Sequence, residues 1–203
     1  MTSPALLAGF SNPSEAAQKC FRAVLGALSE PGTAHALETP QETPEGCATG
    51  TSSVGLSLLD TSTPFHVHGL NGLGAYLRFH TGAPEARAED AQWAFTSAGN
   101  GSLLDLAACL SAGSLEYPER AATLVIQLEA DPTRDDAVVL QGPGIKGRRR
   151  LGKLGLSDAF WAWRQAARAH YPLGIDLLFV QGHQVWALPR STLVHLEAPC
   201  TSR

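Results

Sequence analysis

The chain has 203 residues, of which 44% are hydrophobic and 17% charged, with a formal net charge of −4. That length suits one domain, and so many aliphatic residues with so little net charge exclude a disordered chain. The acidic balance argues against a general nucleic-acid binder or a basic membrane-surface protein, and a charged share below the usual ~25% hints that part of the surface is covered by another chain.

Met1–Phe10 (MTSPALLAGF) has no basic region and too short an apolar stretch for an export signal. The longest apolar runs, such as Val54–Leu59 and Ile175–Val180, fall far below the ~18 residues of a spanning helix. A soluble, cytoplasmic protein is therefore expected. The first strong element is a helix. Asn12 offers an N-cap, Pro13 the first helical position and Glu15 an early acid, and Cys20, Phe21, Val24, Leu25 and Leu28 recur on one face. Pro31-Gly32 ends it. Residues 33–50 read as an exposed strand and a loop, and Val54–Leu59 as a buried strand ending at Asp60.

Tyr76–His80 and Trp93–Thr96 read as short strands, and Leu103, Leu104, Leu106, Ala107 and Leu110 as a helical face. Thr123–Glu129 and Ala137–Gln141 read as strands, followed by a break at Gly142-Pro143-Gly144. Ser157 caps a helix running to His170, with Phe160, Trp163 and Ala167 on its apolar side. Ile175–Val180 and Gln184–Leu188 form a hairpin about Gly182-His183. No repeat and no long linker divides the chain, so residues 1–203 are expected to be a single α/β domain, a mixed-sheet sandwich.

Four cysteines, Cys20, Cys47, Cys109 and Cys200, lie far apart with no CxxC pair. All four are expected to be free, buried or half-buried thiols rather than zinc ligands or disulfides. His66 and His68 share one face of a strand, but no third metal ligand is evident, so polar, partly exposed histidines are favoured over a metal site. Gly69, Gly72 and Gly74 stand in the order GxxGxG with a strand-like segment after them, which favours a flexible turn over a phosphate loop. Lys146-Gly147-Arg148-Arg149-Arg150 with Lys153 reads first as a solvated loop and second as a clamp for polyphosphate or an acidic partner.

Trp161, Arg164 and Arg168 stand at i, i+3, i+7 on the Ser157–His170 helix. Two readings are equally open: an association surface, or an amphipathic helix whose arginine stems cover apolar area. Arg190 can bind an oxyanion or pair with a carboxylate such as Asp176 or Glu119, the ion pair being favoured. Arg190 and Asp176 are thus the candidate ligand-binding residues. No GxSxG and no P-loop lysine appear, and none of the three lysines, Lys19, Lys146 and Lys153, looks desolvated enough for a Schiff base. No catalytic residue, metal or cofactor is assigned.

Several blocks occur together in a suggestive order. They are Phe21-Arg22 with Pro31-Gly32-Thr33; Leu58-Leu59-Asp60 with Thr63 and Phe65; His80-Thr81-Gly82-Ala83-Pro84; and Tyr117-Pro118-Glu119 with Ala122-Thr123-Leu124. Leu140 with Gly142-Pro143-Gly144-Ile145, Tyr171-Pro172 with Gly174-Ile175-Asp176, and Pro189-Arg190-Ser191-Thr192 complete the series. Across about residues 15–195 the chain resembles the PhnH family, the H subunit of the bacterial carbon–phosphorus lyase system. The resemblance implies an accessory, cytoplasmic subunit that acts with the G, I and J subunits. Their complex converts ATP and a phosphonate to ribose 1-phosphonate 5-triphosphate and adenine, ahead of carbon–phosphorus cleavage. It also implies a fold like the large domain of pyridoxal-phosphate-dependent transferases without that cofactor, and a homodimer when isolated. The rival reading is a self-contained enzyme of vestigial transferase fold that binds a nucleotide or a phosphonate.

Overall fold

Residues 6–129 and 137–196 are described by the structure, a computed structural model. Its helices are α1 (Pro13–Ser29), α2 (Thr49–Leu58), α3 (Leu73–Thr81), α4 (Leu103–Cys109) and α5 (Asp158–Ala167). The strands are β1 (His35–Ala36), β2 (Phe65–Val67), β3 (Trp93–Ser97), β4 (Thr123–Gln127), β5 (Ala137–Gln141), β6 (Arg149–Gly152), β7 (Asp176–Gln181), β8 (Gln184–Leu188) and β9 (Leu193–Leu196). A six-stranded sheet runs β1-β8-β7-β4-β3-β2, and a three-stranded sheet runs β6-β5-β9. In the large sheet β2, β3, β4 and β7 are parallel, while β8 pairs antiparallel with both β7 and β1.

The parallel strands are buried on both faces, as crossover strands must be. Alternate side chains feed two cores. Val125, Leu178 and Val180 join Cys20, Val24, Val54, Leu73 and Leu77 under α1, α2 and α3. Leu124, Ile126, Leu177 and Phe179 join Leu103, Leu106, Leu140, Phe160 and Trp161 under α4, α5 and the small sheet. The molecule is a mixed α/β protein in which one mixed sheet separates two packed layers.

Two expected strands are helices. Val54–Leu58 belongs to α2, with Leu59 just past its end, and Tyr76–His80 belongs to α3. In α2 the small residues Gly50 to Gly55 are all buried. A Cβ on Gly55 would lie 2.5 Å from Leu77 Cδ2, and one on Gly50 would lie 2.8 Å from Gly182 O. Tertiary packing of a slim helix thus overrides the weak helix propensity of TGTSSVGLSL. In α3, Leu73, Tyr76 and Leu77 bury one helical face, and Gly72 and Gly82 bracket it in left-handed conformation. The GxxGxG turn therefore leads into a helix, not a strand. Arg149–Gly152, expected within a solvated loop, forms β6.

A cleft beside a buried arginine

α5 begins where Ser157 Oγ accepts the amide of Phe160 at 3.2 Å. Phe160, Trp161 and Arg164 are then the buried positions of the helix. Trp161 lies 5.4 Å from Phe160 and 6.1 Å from Phe179, ring centre to ring centre, and donates Nε1–H to Lys153 O at 3.1 Å. Arg164, only 2% exposed, donates through Nη2 to Pro189 O at 2.6 Å and to Thr192 O at 3.3 Å. Those carbonyls lie in the turn between β8 and β9, where Pro189 O also accepts the Thr192 amide at 2.9 Å. Burial pushes the Arg164 pKa down to about 10; Asp176 opposes the shift and Arg168 reinforces it.

Of the stripe Trp161, Arg164 and Arg168, the first two are therefore closed to a partner. Trp161 and Arg164 face the core of their own chain, and Arg168 is half-buried with its guanidinium 4.3 Å over the Tyr171 ring. An i, i+3, i+7 stripe marks the buried face of an amphipathic helix, and a tryptophan in it packs inward first.

Between α4 and α5 lies a cleft of about 320 Å³. Ala107 and Leu110 form one wall, Trp163 and Ala167 the opposite one, and Ile175 the approach to β7. Arg164, His170 and Arg190 supply its charged and polar lining, and among the described residues no carboxylate lines it. Arg190 also borders a shallower depression with Asp176, Glu119 and Tyr171. Here the sequence-level candidates meet. Asp176 Oδ1 accepts the backbone N–H of Arg190 at 2.7 Å, Oδ2 accepts Nη2 at 2.8 Å, and Arg190 Nη1 donates to Pro118 O at 2.6 Å. The guanidinium ties the start of β7 to the turn after β8.

The remaining candidates sit elsewhere. His66 and His68 stack with ring centres 6.3 Å apart; His66 Nδ1 lies 2.9 Å from Ala86 O and His68 Nε2 lies 2.8 Å from Ser102 Oγ. Among the described residues, no group of three or more His, Cys, Asp or Glu is placed to hold a metal ion. Arg149 Nη1 donates to Glu30 O at 3.1 Å and Pro31 O at 2.6 Å, fastening the end of α1 to β6. Lys19 pairs with Glu15 and Glu38 on the surface. Lys146 is exposed, and Lys153, with only 17% of its side chain exposed, is fixed to Asp158 at 2.7 Å. None of the three lysines lines the cleft, so the residues present offer no Schiff-base lysine there. Cys20 and Cys47 are buried free thiols, whereas Cys109 is exposed, which corrects the expectation for that residue; Cys200 lies outside the described residues. No described helix is long and apolar enough to cross a membrane.

Residues 8–195 match the bacterial phosphonate metabolism protein (PhnH) family. The chain belongs to the PhnH family. It is 31% identical over 192 residues to alpha-D-ribose 1-methylphosphonate 5-triphosphate synthase subunit PhnH of Rhizobium meliloti (strain 1021), covering 93% of this chain and 94% of that protein. It is also 32% identical over 180 residues to HtxG of Stutzerimonas stutzeri, named as a C-P lyase subunit protein, covering 89% of this chain and 86% of that one. Arg164, which leaves the cleft with a buried charge, was not singled out by sequence as a cleft residue; its only signal was an arginine three residues after a core tryptophan.

Proposed function

We propose that this PhnH-family chain is an accessory subunit of the assembly that makes ribose 1-phosphonate 5-triphosphate and adenine from ATP and a phosphonate. Its part is surface and complex integrity rather than chemistry. The observation that carries this reading is the near end-to-end match to a synthase subunit of similar length. Its partners would be the G, I and J subunits, its location the cytoplasm, and its isolated form a homodimer. The parallel β2-β3-β4-β7 core with an antiparallel neighbour supports a likeness to the large domain of pyridoxal-phosphate-dependent transferases. Two cores on opposite faces of one sheet support treating residues 1–203 as one domain. Co-purification tests the role: the tagged chain, expressed with G, I and J subunits, is expected to retain all three through gel filtration. A chain that elutes without them overturns the reading.

A further inference from the structure

We propose that the cleft between α4 and α5 binds a compact organic oxyanion, its charged head on Arg164 and a short apolar substituent against Ala107, Trp163 and Ile175. The proposal stands on the cleft and does not depend on the subunit role above. A buried charge is retained only when something compensates it. Arg164 is 2% exposed, yet its Nε has no hydrogen-bond partner, and of its other nitrogens only Nη2 meets acceptors among the described residues.

The neighbourhood is also positive beyond that one group. Arg190 shares the lining, Arg168 adds its field, and Asp176 is held in two-point contact by Arg190. Two cationic linings against one carboxylate, itself outside the lining, leave an excess of about one positive charge for a ligand to meet. The guanidinium suits carboxylate and phosphorus oxyanions alike.

Size and walls narrow the class. A volume of about 320 Å³ is at the small end of ligand pockets, which run ~300–1,000 Å³. A nucleoside triphosphate would overfill it and bring more negative charge than the lining matches. The apolar walls instead fit a short alkyl chain, and an oxyanion without one would leave them in contact with water.

The test is ligand-observed NMR on the full chain with butylphosphonate, butyrate, butanol and ATP as probes. Either anion is expected to bind saturably, butanol and ATP not to compete with it. Preference for butylphosphonate identifies a phosphorus oxyanion as the natural head group, preference for butyrate a carboxylate. Ala167→Phe fills the cleft from a half-buried helical position and leaves the Arg164 charge present, and Arg164→Met removes the charge while keeping the stem. Each should weaken binding about tenfold or more. If circular dichroism shows that Arg164→Met fails to fold, Ala167→Phe decides. The proposal is overturned if neither anion binds the folded chain up to ~10 mM, or if Ala167→Phe leaves the affinity unchanged; water would then be what meets Arg164.

Discussion

Trp161 is closed in by Phe160, Phe179 and the Lys153 carbonyl, so its removal should be felt within the chain. Truncating a fully buried tryptophan costs about 3–5 kcal/mol, and Trp161→Ala is expected to lower the urea midpoint accordingly while the mass of the folded fraction by light scattering stays the same. A changed mass with an unchanged midpoint would mean that the side chain is at an interface after all. The thiols offer a second residue-scale check. Burial pushes Cys47 up to about 11 and raises Cys20, so near pH 8 both are almost wholly protonated as well as inaccessible. Iodoacetamide should therefore alkylate Cys109 ahead of Cys20 and Cys47, and the Cys47 rate should rise about tenfold per pH unit as long as the fold holds. Peptide mapping that finds Cys20 or Cys47 modified as fast as Cys109 would contradict this. The lysines complete the scale: pyridoxal phosphate added to the chain should give no imine absorbance that a single Lys19, Lys146 or Lys153 substitution abolishes.

Among the elements, α2 depends on what is missing from it. A side chain at Gly55 meets Leu77 at once, so Gly55→Leu should destabilise by about 1–3 kcal/mol through overpacking. A Cβ at Gly101 meets nothing within 4 Å, and Gly101→Ala should stay within about 0.5 kcal/mol. Equal effects in chemical denaturation would remove the packing account of α2. The same physics explains what was legible in the sequence. α1 announces itself through its cap, its periodicity and Pro31-Gly32; the β7–β8 hairpin does so through two β-rich runs about Gly182-His183. The helices α2 and α3 were hidden because short runs such as Val54–Leu59 and Tyr76–His80 suit a buried strand as well as a buried helix, and only the surrounding packing decides. For α5 the helix itself was plain, but its rotation was not: both faces carry tryptophan, and only the third dimension shows that Arg164 is the one turned inward. The Arg190–Asp176 pair was within reach because both candidates flank one hairpin, whereas the cleft that Arg190 lines needs α4, about 80 residues earlier in the chain, folded against it.

At the scale of the molecule, one six-stranded sheet carries a packed layer on each face. Family membership rests on residues 8–195, and the match to a synthase subunit spans 93% of the chain. With a charged share of 17%, the proposed homodimer would cover part of the surface, away from the buried Trp161 and Arg164. In light scattering the isolated protein should therefore run at twice the monomer mass; a monomer at all concentrations would contradict self-association. The most direct measurement of the central claim is adenine release from ATP in the presence of methylphosphonate, followed by chromatography, for the chain alone and for the chain combined with the G, I and J subunits. The account predicts no adenine from the chain alone and release from the combination; adenine released by the chain alone would make it an enzyme in its own right.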